Sequence, residues 1–165
     1  MPVYAVDKLI SQARRLAAEY RQTTGRPLPG ISVEIAHYDA AYHLDLELCP
    51  WQQTGIDAIG KGSREAKRIQ IKGRAIFDNQ KSGQRIGQLR LDQGWDSVVL
   101  VLLDEEFNAF EIYEAERANL EEAIKGNKSN RSKRGALSVA KFKVLGRLVW
   151  TKDDGKLDDD VWTNR

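Results

Sequence analysis

The sequence predicts an α/β domain, a central sheet flanked by helices, and three stretches carry that expectation. Ser97 to Leu103 (SVVLVLL) is a continuous apolar run rich in β-branched residues, the pattern of a central strand covered on both faces. Val6 to Tyr20 sets Leu9, Ile10, Ala13, Leu16, Ala17 and Tyr20 at spacings of three and four, the stripe of an amphipathic helix. Between them, Gly55 to Ile59 (GIDAI) and Lys67 to Arg74 (KRIQIKGR) flank a turn containing Gly, Lys and Ser and read as a β-hairpin.

The other elements follow in order. Gln22 to Gly30 holds two Gly and two Pro in nine residues, which makes it a loop. Ile31 to Leu44 reads as a second helix, with Val33, Ala36, Ala40, Ala41 and Leu44 near one stripe and Glu34 in the first turn, where the helix dipole favours a carboxylate. Leu44 to Leu48 alternates apolar and acidic residues and suggests a short strand closed by Pro50 and Trp51. Side chains alternate across a strand, so Ile69 and Ile71 face one way and Gln70 and Lys72 the other, while Asp57 opposes Ile56 and Ala58. Arg74 to Gly94 is polar and shows no assignable period. Beyond the apolar run, a turn at 104–108, a strand at 109–113, an acidic helix at 115–124, a basic loop at 126–135, a helix at 137–145 and a strand at 148–151 complete the domain. With no linker long enough to divide it, the chain reads as a single domain over 1–152, its N-terminal helix within 1–24, and a flexible acidic tail over 153–165.

Composition narrows the class of protein. The chain has 165 residues and one cysteine, Cys49, which excludes an intrachain disulfide and a multi-cysteine zinc site. No apolar run approaches the roughly 20 residues that span a bilayer, and Met1 to Ile10 lacks a basic-then-apolar leader. A soluble, cytoplasmic protein with no membrane partner is the expectation.

The net charge of +2 conceals opposed blocks. Lys61 to Arg90 carries nine basic residues against two acids, and Lys125 to Arg147 eight against none, whereas Asp104 to Glu122 carries eight acids against Arg117 alone. Basic blocks of this density point to a polyanion partner.

Four residues form a candidate constellation. Antiparallel pairing across the hairpin sets Asp57 beside Gln70 and Lys72. Oxygens from Asp57, the Gln70 amide carbonyl and an adjacent backbone carbonyl suit a hard cation such as Mg²⁺. A lysine beside such an ion is suited to orient or deprotonate a water, or to hold the charge developing on a phosphate. The chemistry implied is phosphodiester hydrolysis.

Glu34 on an early helix, GIDAIG around Asp57 and IQIKGR around Gln70 and Lys72 resemble the PD-(D/E)XK nuclease superfamily over about Gly30 to Tyr113. Ile56 stands where the family name has proline, and Gln70 stands where an acid is expected, a Gln-x-Lys variant also found in Mrr-type restriction endonucleases. The resemblance implies a restriction-endonuclease-like fold with a central mixed sheet. It implies catalytic roles for Glu34, Asp57, Gln70 and Lys72, with Glu34, Asp57 and Gln70 holding Mg²⁺ or Mn²⁺ and Lys72 assisting the attacking water. Lys61, Lys67, Arg74, Lys128, Arg131, Lys133 and Arg134 would line a basic groove for DNA, bound chiefly through its phosphates. A homodimer is compatible with cutting both strands. The alternative is a non-catalytic nucleic-acid-binding or protein-interaction module that kept the fold, favoured by the neutral Gln70.

The remaining conspicuous residues read as structural. His37 and His43 lack the spacing for shared metal ligation, Cys49 has no partners to activate it, and Trp95, Trp150 and Trp162 suit packing, with Trp51 placed to line a groove.

Overall fold

The apolar run becomes strand β4 (Ser97–Leu103), buried at every position, and the rest of the sheet is arranged around it. A computed structural model describes residues 3–50, 55–77, 84–126 and 137–157. Helix α1 spans Val3–Thr24 and α2 spans Ile31–Leu44. The strands are β1 (Leu46–Leu48), β2 (Ala58–Gly60), β3 (Arg68–Ala75), β4, β5 (Ala109–Glu116), β6 (Arg147–Thr151) and β7 (Gly155–Lys156). Helix α3 (Arg117–Gly126) follows β5, and α4 (Val139–Leu145) precedes β6.

The strands lie side by side in chain order as one seven-stranded sheet. Every adjacent pair is antiparallel except β3 and β4, which run parallel from Ile69 beside Ser97 to Ala75 beside Leu103. The sheet is therefore mixed, and it has two apolar faces as the alternation of side chains requires. One packs Ile69, Ile71, Val99 and Val101 against Ala17 of α1 and Ile35, Ala36, Ala40 and Leu44 of α2. The other packs Val98, Leu100 and Leu102 beneath Leu89, Trp95, Leu120 and Phe142. Salt bridging ties α1 to α2, since Arg14 donates to the buried Asp39 and to the carbonyl of Phe107 at 2.5 Å.

Several boundaries differ from the sequence reading. Helix α1 continues to Thr24, three residues into the Gly- and Pro-containing loop. Strand β5 runs to Glu116 because Ala115 pairs with Val98 and is buried, so sheet pairing takes a residue that helical periodicity had claimed. The sheet also crosses the expected domain end at 152. Thr151 and Trp150 pair with Gly155 and Lys156, joined by a turn in which Gly155 adopts φ 70°. The rest of the acidic tail, 158–165, lies outside the described residues, as do Trp51, Trp162 and the loop carrying Lys128, Arg131, Lys133 and Arg134.

Part of the charge segregation closes on itself. Glu114, wholly buried on β5, accepts from Arg64 Nε at 3.0 Å and Ser97 Oγ at 2.9 Å, with Lys67 Nζ at 3.3 Å and Arg147 Nη2 at 3.4 Å. Burial alone would raise its pKa. The charges of Arg64 and Lys67 and the hydrogen bonds from Ser97 and Arg64 outweigh burial and hold the carboxyl below its ordinary value. A depressed carboxyl stabilises the fold above its unfolded pKa and loses that contribution as pH falls through its folded pKa. Glu114→Gln should therefore blunt the loss of stability below the ordinary value of 4.5. At neutral pH it should cost about 3–5 kcal/mol in urea melts, because Arg64 stays buried without its counter-charge.

Close approach of α2 to β3 depends on Gly73, where a Cβ would stand 2.4 Å from Ala36 Cβ and 3.0 Å from the Ser32 carbonyl oxygen. Gly73→Ala should destabilise the protein by about 1–3 kcal/mol, read as a lower denaturation midpoint with an unchanged slope.

Candidate functional site

Asp57 immediately precedes β2, and its main chain bonds on both sides. Its N–H donates to Ile69 O at 2.8 Å, and its carbonyl accepts from Cys49 N–H at 2.8 Å. At the next rung the pairing changes in kind, because Ile71 N–H donates at 2.7 Å to Asp57 Oδ2, a side chain, instead of to a strand carbonyl. Strand N–H groups point along the sheet. The Asp57 carboxylate is thereby held at the opening between β2 and β3, beside the Ile71 N–H.

On the α2 face, a cavity of about 440 Å³ is lined by Glu34, His37 and Asp57, with Val6, Ile10 and Cys49 among its other walls. Glu34 and His37 are three apart on α2, so they share a helix face. His37 Nε2 stands 3.9 Å from Asp57 Oδ2. On the opposite face, Gln70, Lys72 and Arg74 alternate along β3 beside Val98, Leu100 and Leu102 of β4. Gln70 Nε2 donates to Gly55 O at 3.3 Å and to Gln93 Oε1 at 3.2 Å, and Lys72 Nζ stands 3.5 Å from Gln88 O. Arg74 donates to the carbonyls of Arg85 at 2.7 Å and Gly73 at 2.6 Å.

Burial is the main cause of a lowered Lys72 pKa, and Arg74 adds to it, while the Asp57 charge acts in the opposite direction. Burial likewise lowers the pKa of Arg74. The thiol of Cys49 moves upward through burial and the charges of Asp57 and Glu47, which keeps it protonated and suits the packing role expected for it.

The residues singled out from the sequence are thus brought together only in part. Asp57 and Glu34 share the α2-side cavity, whereas Gln70 and Lys72 occupy the other face, where Lys72 feels the Asp57 charge and Gln70 bonds to Gly55 and Gln93. Lys67 is drawn into ion pairs with Glu114 and Glu116, so its charge is matched within the fold rather than presented to a groove. Lys61 is exposed beside the hairpin turn. His43 stacks on Trp150 with ring centroids 4.0 Å apart, as a packing residue should. His37 and Gln93 were not recognised as neighbours of the site. The spacing of His37 from Glu34 was the available signal for the first, and no local pattern marks the second.

Among the described residues, no three His, Cys, Asp or Glu side chains form a metal-ligating group. The oxygen donors nevertheless fit a hard cation in kind. Gln70 Oε1 is buried and lacks a hydrogen-bond partner, the state of an oxygen left for a ligand. Among the described residues no helix is long and apolar enough to cross a membrane. No protein-family model matches the chain, and no curated protein matches it either.

Because Asp57 sustains the charged form of Lys72, Asp57→Asn should lower the Lys72 pKa further, measured by NMR titration of the lysine side chain. A Lys72 pKa that stays or rises would show that the two groups do not communicate across the opening.

Proposed function

We propose that the protein is a divalent-metal-dependent nuclease domain that hydrolyses phosphodiester bonds in DNA, with a restriction-endonuclease-like fold and a Gln-x-Lys site. The observation that carries the reading is the hairpin opening. One β-hairpin carries a carboxylate bonded to the next strand's N–H on one arm and, two positions apart on the other, a buried amide oxygen without a partner and a desolvated lysine.

Glu34, Asp57 and Gln70 would hold Mg²⁺ or Mn²⁺. When bound, such an ion would polarise the scissile phosphate and acidify a water. Lys72, its pKa lowered by burial, exchanges a proton more readily than a solvated lysine and can orient the attacking water or hold charge on the phosphate oxygens. Arg74 and Lys61 supply positive charge along the same hairpin for the phosphate backbone. Two copies would allow both strands of a duplex to be cut, and the reading carries a cytoplasmic location.

A second reading, a nucleic-acid-binding module without catalysis, is favoured by the neutral side chain at Gln70. Calorimetric titration with Mn²⁺ separates the two, because salt-dependent DNA binding without an ion site belongs to the second.

With Mg²⁺ or Mn²⁺ the protein should nick supercoiled plasmid. Asp57→Ala and Lys72→Ala should each reduce the rate at least about 100-fold in proteins that still melt cooperatively, Asp57→Ala at a lower temperature because Ile71 N–H loses its acceptor. Nicking that survives both substitutions rules the catalytic assignment out.

A further inference from the structure

Gln70 faces a difficulty that a carboxylate would not. An amide has two ends, and only its oxygen can bind a cation. Gly55 settles part of the choice, because its backbone carbonyl can only accept and lies 3.3 Å from Gln70 Nε2. Gln93 supplies the second acceptor, its Oε1 lying 3.2 Å from the same nitrogen. With both amide N–H groups engaged, Oε1 is the end left over. Among the described residues it is a buried side-chain atom without a hydrogen-bond partner, in a residue only 7% exposed.

Gln93 is itself held firmly. Arg117 Nη1 donates to the carbonyls of Gln93 at 2.7 Å and Trp95 at 2.8 Å, its Nη2 donates to that of Leu91, and its guanidinium lies 4.6 Å from the Trp95 ring centroid. Space for the Gln93 side chain comes from Gly55, whose φ is 82° and where a Cβ would stand 2.9 Å from Gln93 Cβ and Cδ.

We infer that Gln93 is a positioning residue, which by accepting from Gln70 Nε2 fixes the Gln70 amide with Oε1 as the oxygen offered to a divalent cation. The inference rests on the metal-dependent reading above and deepens it. It explains how a neutral residue serves where an acid is expected: the surrounding structure supplies the orientation that a carboxylate, with oxygen at both ends, does not need.

The test is Mn²⁺ affinity by calorimetry in two backgrounds, with thermal melting to check that each variant folds. Gln93→Met keeps length and bulk and removes the acceptor, so it should weaken Mn²⁺ binding about 10-fold or more, the range for groups that orient a metal ligand. In a Gln70→Glu background the same substitution should leave affinity essentially unchanged. Unchanged affinity for Gln93→Met in the native background overturns the inference alone. Equal losses in both backgrounds also overturn it, since they indicate a general structural effect. A native protein that binds no Mn²⁺ defeats the metal-dependent reading itself, and the inference with it.

Discussion

The parallel pairing of β3 with β4 is the constraint on which the rest of the structure depends. Two parallel neighbours cannot be joined by a tight turn, so the chain leaving Ala75 must travel back along the sheet before entering at Ser97. Of that return, residues 84–96 lie over the face bearing Gln70, Lys72 and Arg74. It is fastened at both ends, by Ile76 N–H to Leu103 O at 2.8 Å and by Asp96, whose N–H donates to Arg68 O at 2.7 Å and whose carboxylate pairs with the Arg68 guanidinium. The polar crossing provides Gln88 and Gln93 as partners for Lys72 and Gln70, and its apolar members Ile86, Leu89 and Trp95 seal the second core. Desolvation of Lys72 and Arg74 is thus a product of sheet topology.

At the other side of β3 the decisive feature is a ladder that ends early. Were β2 to continue backward as a regular strand, Ile71 N–H would meet a main-chain carbonyl. A carboxylate takes that bond instead. The substitution leaves negative charge at an open seam of the sheet, with Glu34 and His37 on one side and Lys72 on the other. Asp57 thereby ends the ladder and lines the α2-side cavity, while its charge is felt by Lys72 on the other face.

Charge, too, divides into what the fold consumes and what it leaves available. Arg64 and Lys67 from the first basic block and Arg147 from the second converge on Glu114. Arg68 is matched by Asp96 and Arg90 by Asp92. Such pairs add little where they are exposed, but a fully buried carboxylate requires them. Lys72 and Arg74 differ, since their described hydrogen bonds run to carbonyl oxygens. The blocks seen along the chain therefore overstated the positive surface and still contained the part that borders the hairpin opening.

How much was legible depended on the range of the interaction. Ser97–Leu103 was readable to the residue because burial on both faces imprints a continuous apolar run, and the alternation of Ile69 and Ile71 with Gln70 and Lys72 followed from strand geometry; the extent of Ile31–Leu44 was also legible, but its stripe was not, since Val33 is exposed and Ile35 is buried. The sequence by itself determined the α/β class, the hairpin and the candidate set Asp57, Gln70 and Lys72. Tertiary structure alone decided the path of 84–96, whose bonds include ones to distant parts of the chain, and the pairing of Gly155 with Thr151 beyond the expected domain end. It alone set Gln93 against Gln70, His37 against Asp57 and Lys67 against Glu114. Those partners lie some 20 to 50 residues apart, and only a completed sheet brings such distances within a hydrogen bond or an ion pair.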